Sequence, residues 1–365
     1  MTAVSRETSK TPLELGYSMP AEWEHHNSTW LAWPHSTSDW PGKLRAVEWV
    51  FAEVVKHIAA GETVRIMVNF PTHKSRARGV LRRAGVELSR VEFFSFPTNR
   101  SWVRDYGPVF VRRGEGSPEV AVSRFRFNGW ARYPDWKLDD AVPELVAEAL
   151  GLAVFNASSG ERGFVLEGGA IDVNGRGTVI CTEQCLLNTT TQARNPGLGQ
   201  TDVEEALRNS LGVSGVFWLA GGIAGDDTNG HIDGVCRFVN PRTVVAAVEA
   251  SPADANYASL RENLERLEDL RLEDGSKAEV VTLPMPAPLY FEGVRLPASY
   301  LNFYICNNAV LVPTFNDPAD RAALAVLGEL FPGHSVVGVH CVDLVWGLGC
   351  VHCITREQPA VERTV

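Results

Sequence analysis

Along this chain the spacing of apolar positions switches repeatedly between the period of a strand and that of a helix, so short strands and single helices alternate from end to end. Between 41 and 60 the residues Leu44, Val47, Val50, Phe51, Val54, Val55 and Ile58 fall on one helical face, and Gly61 closes the segment. Further helices are predicted over 74–86, 141–150, 203–211, 257–272 and 319–330. Strands are predicted at 28–33, 63–69, 91–96, 120–127, 216–219, 234–239, 243–248, 279–283 and 335–339. Residues 164–181 read as three strands separated by turns, with Asn174-Gly175 as a hairpin signal, and 300–305 pairs with 310–312 across Asn307-Asn308. The recurring cadence is ββαβ-like. No linker, low-complexity stretch or composition shift divides the chain, so one α/β domain over 1–365 is expected, with residues 1–13 a flexible polar lead-in.

Composition narrows the function. Apolar residues are 45% and charged residues 21% of the chain, the balance of a globular protein with a sizeable core. The net charge of −10 argues against a nucleic-acid binder and suits a small cationic substrate, although acidity also serves solubility alone. No apolar run approaches the roughly 18 residues of a membrane span. The N-terminal stretch lacks the apolar centre of a secretory signal. Seven scattered cysteines are then expected to be reduced thiols in the cytoplasm, most of them small buried hydrophobes. Four tryptophans (Trp23, Trp30, Trp33 and Trp40) read better as packing anchors than as a ligand wall.

Chemistry concentrates in a few loops. Near the C-terminus, Gly347-Leu348-Gly349-Cys350-Val351-His352-Cys353 combines two thiols with glycines that permit a tight or positive-φ backbone. Cys350 and Cys353 could be half of a zinc site, but no second paired motif exists, Cys181 and Cys185 being the nearest candidates. A redox pair would open a helix after a strand, which the flanks do not suggest. A cysteine nucleophile, either thiol, needs a histidine and an orienting carboxylate. His231 stands in a loop of glycines and aspartates, and on a strand it would share one face with Asp233. Glu167, ahead of two glycines, is a candidate orienter. Asp105, in a Trp-x-Arg-Asp cluster at a strand mouth, and Asp233 are then spare; two carboxylates beside such a pair suit a guanidinium, whose N–H fork they can grip from both sides. A structural pairing of Arg104 with Asp105 is the alternative for that cluster.

Seven motifs, in order, resemble the agmatine deiminase (agmatine iminohydrolase) family, related to bacterial peptidyl-arginine deiminases. They are Met19-Pro20-Ala21-Glu22-Trp23-Glu24, Trp102-x-Arg104-Asp105-x-Gly107-Pro108, Glu167-Gly168-Gly169-x-Ile171, Thr182-Glu183-x-Cys185-Leu186-Leu187-Asn188, Asn229-Gly230-His231-Ile232-Asp233, Ser299-Tyr300-Leu301-Asn302-Phe303-Tyr304 and His352-Cys353-Ile354-Thr355. The resemblance implies a pentein fold, a β/α-propeller of five pseudo-symmetric ββαβ units with the active site at its centre. It implies Cys353 as nucleophile, His231 as general acid/base, Glu167 as its orienter, Asp105 and Asp233 as guanidinium clamps, and Trp102 and Asn302 as pocket lining. It further implies deimination of a guanidino compound, agmatine foremost, without metal or organic cofactor, nucleic acid or membrane, by a dimer. Arginine or a peptidyl or modified arginine is the alternative substrate, and an amidinotransferase of the same superfold the alternative activity. The chain departs from the family pattern at Gly347-Leu348-Gly349-Cys350-Val351, where Gly-Gly-Gly-Asn before Ile-His-Cys is usual, and at Arg356-Glu357, where two glutamines are usual. These changes beside Cys353 bear on which guanidino compound is taken, since the candidates differ at their far ends.

Overall fold

The computed structural model describes residues 10–114 and 119–361. Four stretches of chain repeat one plan: an antiparallel strand pair, a helix, and a third strand parallel to the second. The first runs Val109–Arg113, Glu119–Arg124, helix Val142–Leu150 and strand Ala153–Asn156. The next are Asp172–Val173, Thr178–Thr182, Gln200–Leu211 and Gly215–Leu219, then Cys236–Asn240, Thr243–Val248, Tyr257–Leu267 and Glu279–Pro284. The fourth is Tyr304–Ile305, Ala309–Thr314, Ala319–Leu330 and Ser335–His340. A crossover helix is what a parallel neighbour requires, whereas an antiparallel neighbour can follow directly. At the hairpin after Val173, Asn174 Oδ1 accepts from the backbone N–H groups of residues 176, 177 and 178.

A fifth unit is assembled from both ends of the chain. Arg356–Pro359 pairs antiparallel with His26–Ala32, which leads through helix Leu44–Ala59 to the parallel strand Thr63–Met67. Helix Pro71–Arg83 and strand Val91–Phe94 extend this sheet. Five ββαβ units in one chain are the pentein architecture that the resemblance implies.

The helix Leu44–Ala59 buries Val47, Val50, Phe51, Val54, Val55 and Ile58, the stripe predicted from its spacing. Trp30, Trp33 and Trp40 are wholly buried in the larger of two apolar clusters, each a packing contribution of about 1.5–3 kcal/mol or more. The other cluster fills the space beneath helix Gln200–Leu211.

Several expectations are corrected. Residues 164–166 form a bridge to Arg126 rather than a full strand, and the glycines that follow make a 3-10 turn, Gly168–Ala170. His231 and Asp233 lie at the 3-10 turn Ile232–Gly234, not on a strand. Residues 300–303 are irregular. Helix 257–272 stops at Leu267, and the basic helix predicted at 74–86 starts earlier, at Pro71, which suits a first helical position. Of the lead-in, residues 1–9 lie outside the described residues, while Leu13–Leu15 forms a 3-10 turn. The strands Ala153–Asn156 and Arg356–Pro359 were not predicted; the second is polar in sequence and buried throughout.

One regularity places the chemistry. Asp105, Glu167, His231 with Asp233, Asn302 and Cys353 each stand in the few residues leading into the first strand of a different unit. These lead-in segments touch one another: the turn at Val103–Tyr106 meets Gly168–Ala170, which meets Ile232–Gly234.

Candidate active site

Gly169 lies at the meeting point of the lead-in segments. A Cβ on this residue would fall 2.6 Å from His231 Nδ1, 2.8 Å from Asp105 Oδ1 and 3.2 Å from Asp233 Oδ2. Any side chain there would occupy the space those three groups face. Cys353 Sγ lies 3.7 Å from Asp233 Oδ2 and 3.3 Å from Asn302 Nδ2, and Asn302 Nδ2 also donates to Asp233 at 3.1 Å. His231 Nε2 is 3.5 Å from Glu167 Oε2, and its Nδ1 is 3.8 Å from Asp105 Oδ1. The structure thus brings together six of the seven residues singled out from sequence, and the seventh, Trp102, lines the cavity beside Cys353.

The electrostatics follow from these contacts. Burial penalises the charge of Glu167, but Arg194, with Nε 3.1 and 3.2 Å from the two carboxylate oxygens, and His231 together outweigh it and hold the group below the usual range. Burial would discharge His231, yet Asp105 in particular, aided by Cys185 and Glu167, raises its pKa well above the ordinary value. The Cys353 thiol is pushed up strongly, first by burial and then by the charges of Asp233 and Asp105. These surroundings therefore favour a protonated thiol at Cys353 and an imidazolium at His231.

A supporting layer escaped the sequence reading. His352, next to the nucleophile candidate, places Nδ1 2.7 Å from Asp233 and Nε2 2.8 Å from Glu22. Glu22 also pairs with Arg104 at 3.2 Å and Arg237 at 2.9 Å, and Arg104 with Glu357 at 2.7 Å. Arg104 is thus engaged by Glu22 and Glu357, and the alternative pairing with Asp105 does not occur. Trp130 Nε1 donates to Asp105 at 2.8 Å. Glu22 and Arg104 stood in quoted motifs, and that shared membership was the available signal; Arg194 and Trp130 had none.

The site opens into a cavity of about 170 Å³ whose lining includes Asp39, Trp102, Asp105, Trp130, Asp227 and Cys353. In the closing segment positive φ falls on Leu348 (69°), not on its glycine neighbours. Gly347 and Gly349 instead allow close approach: a Cβ would meet Trp40 and Trp102 at 2.6 Å from the first, and Trp102 at 2.8 Å from the second. Cys350 is buried and absent from the cavity lining, as are Arg356 and Glu357. Arg356 donates to the carbonyl of Pro108 at 2.8 Å. Of the departures beside Cys353, Cys350, Arg356 and Glu357 thus lie outside the cavity lining, whereas Leu348 is part of it.

All seven cysteines are free. Glu167, Cys185 and His231 have donor atoms within 4.8 Å of one another, the arrangement among the described residues that could hold a metal ion. Both Glu167 oxygens are already engaged by Arg194, so the group is charge-balanced as an ion-pair network. No helix among the described residues is long and apolar enough to cross a membrane.

A family model for Porphyromonas-type peptidyl-arginine deiminases matches residues 18–359. The agmatine deiminase of Pseudomonas aeruginosa (strain LESB58) is 36% identical over 380 residues, covering 98% of this chain and 99% of that protein. Among solved structures, the agmatine deiminase of Enterococcus faecalis matches with a TM-score of 0.88 at 30% identity, covering 98% of this chain and 99% of the other. An agmatine deiminase of C. jejuni matches with a TM-score of 0.79 at 27% identity, covering 95% and 97%.

Proposed function

Because the chain belongs to the Porphyromonas-type peptidyl-arginine deiminase family, we propose that it is an agmatine deiminase, converting agmatine and water to N-carbamoylputrescine and ammonia. The observation that carries this reading is the convergence of His231, Asp105 and Asp233 on Gly169, with the Cys353 sulfur beside Asp233. A planar guanidinium held between two carboxylates presents its central carbon to that sulfur, which supplies the positioning that a poor electrophile needs.

The protonation states of these groups suit the chemistry. Besides burial, the negative charges of Asp233 and Asp105 keep the Cys353 thiol protonated; docking a guanidinium between them offsets these charges, so the thiol gives its proton to solvent and the thiolate forms as substrate binds. Its sulfur bonds to the guanidinium carbon. His231 gives its proton to a terminal nitrogen, the C–N bond breaks, and ammonia leaves an S-alkylthiouronium on Cys353. His231, now neutral, takes a proton from water as it adds to the same carbon; the C–S bond then breaks, the remaining hydroxyl proton passes to the departing sulfur, and the ureido product leaves with the Cys353 thiol restored. Glu167, fixed by Arg194, orients the imidazole throughout. The free thiols are in keeping with a reducing, cytoplasmic setting.

The test is ammonia release from agmatine, arginine, peptidyl-arginine and guanidinobutyrate, with Cys353→Ala as control. Agmatine should be turned over fastest, and the variant should lose on the order of 10⁴-fold or more. Absence of ammonia from every guanidine, with amidine passed to an added amine, would identify an amidinotransferase instead.

A further inference from the structure

Residues 346–349 line the cavity, and they differ in what their backbone permits. A side chain at Gly347 would run into Trp40 and Trp102, and one at Gly349 into Trp102 and the Cβ of Cys353, 3.0 Å away. Leu348, between them, carries a side chain at φ 69° and ψ 23°, in the left-handed region. A bulky residue is disfavoured there, whereas glycine takes up the same backbone freely. Glycine is what the family pattern has at this position, so the turn itself does not call for leucine.

The surroundings hold the strained residue in place. Its N–H donates to the carbonyl of Val345 at 2.9 Å, and both glycine neighbours lie tight against tryptophan rings. Trp346, one step earlier in the cavity wall, is fixed by Phe291, whose ring stacks on it at 3.7 Å, and by the Lys43 ammonium, 4.8 Å from the ring centre. Strain kept at the wall of a site, where a glycine would relieve it, points to the side chain itself. Leu348 is half-buried; it packs on the apolar core and adds hydrocarbon surface to a wall that also holds Trp102, Trp346 and Cys353.

We propose that Leu348 is a specificity-determining residue: its side chain packs against the carbon chain that follows the guanidinium and narrows the cavity to a slender, unbranched one. This rests on the deiminase reading above. A guanidine on a plain polymethylene chain gains apolar contact with the isobutyl group. An arginine within a peptide, branched at its Cα and acylated, needs room that the leucine occupies. Contact favours the first substrate and exclusion penalises the second, so one side chain shifts their ratio in two ways.

The experiment measures ammonia release from agmatine and from Nα-benzoyl-arginine amide, each at varied concentration, for wild type, Leu348→Ala and Leu348→Gly. Wild type should prefer agmatine. Both variants should lower kcat/KM for agmatine by about 3- to 30-fold, chiefly through KM, and raise it for the arginine amide, so that the ratio of the two falls by at least about 10-fold. Leu348→Ala keeps a Cβ on the left-handed backbone, which separates the effect of the side chain from that of the turn. Leu348→Met, similar in volume, should keep the ratio within about 3-fold of wild type. Both substrates are read on one preparation, so a smaller folded fraction cancels from the ratio. An unchanged ratio, an equal or complete loss on both substrates, or a wild-type preference for the arginine amide would overturn the assignment while leaving the deiminase reading intact. A wild type that releases no ammonia from either compound would sink both.

Discussion

Asp105 accepts a ring N–H from Trp130 at 2.8 Å and a backbone N–H from Gly169 at 3.0 Å, whereas Asp233 faces His352 Nδ1 at 2.7 Å and Asn302 Nδ2 at 3.1 Å. Both carboxylates are buried, and both point at Gly169. Burial dominates at Asp105 and is only partly opposed by His231, so its pKa is raised. At Asp233 burial is overcome by the hydrogen bond and charge of His352 together with the charges of His231 and Arg237, and its pKa is lowered. The difference teaches that Asp233 has its charge stabilised by neighbouring protein groups, whereas Asp105 does not; on the proposed reading, one clamp is ready before substrate arrives and the other awaits the cation. His352 places a carboxylate at each ring nitrogen, and both contacts are satisfied when both nitrogens carry hydrogen.

The contrast breaks most sharply by removing each charge in turn. Asp233→Asn and Asp105→Asn should both lower kcat/KM for agmatine by on the order of 10²- to 10⁴-fold, as expected for one partner of a buried charge pair. Stability should separate them. A depressed acid contributes stability that is complete above its unfolded pKa near 3.9 and lost as pH falls through the folded value. Asp233→Asn should therefore lower Tm at pH 7. A raised acid costs stability above its folded pKa, so Asp105→Asn should leave Tm unchanged or raise it. Thermal melts of the two variants at pH 7, run alongside wild type, check this; a fall in Tm for Asp105→Asn as large as for Asp233→Asn would erase the distinction.

Smaller changes sharpen it. His352→Ala leaves the substrate contacts in place but removes the support of Asp233, and should cost about 10- to 100-fold in kcat/KM, with the acid limb of the pH profile moving to higher pH. Trp130→Phe deletes one donor to Asp105 and should cost several-fold, also raising the acid limb. Cys350→Ser should retain activity within a few-fold, because Cys350 is buried, outside the cavity lining and held protonated by burial and by neighbouring Cys341. A loss as complete as that of Cys353→Ala would mean the two thiols had been assigned wrongly.

Much of the site was legible because its chemistry is local. Glu167 before paired glycines, and His231 and Asp233 in a glycine-rich loop, mark places where backbone can approach a ligand. The cadence of strands and helices was legible for the same reason, since helix Leu44–Ala59 and strand Thr243–Val248 each carry their own periodicity. What stayed hidden depends on partners far apart in sequence. Arg356–Pro359 offers no apolar alternation, and it is buried because Arg104 and His26–Ala32 wait for it at the other end of the chain. His352 and Glu22 are 330 positions apart, so neither predicts the other. The left-handed turn at Trp130 defies its residue types, and Asp227 stood unremarked among three aspartates of one loop.

The most direct test of the account is to quench the enzyme during turnover of agmatine in acid and map the covalent adduct by peptide mass spectrometry. An S-alkylthiouronium on the peptide sulfur of Cys353, absent from Cys353→Ala and chased to free thiol as substrate is exhausted, is the predicted result. An adduct on Cys350 or Cys185, or full ammonia release by Cys353→Ala, would contradict it.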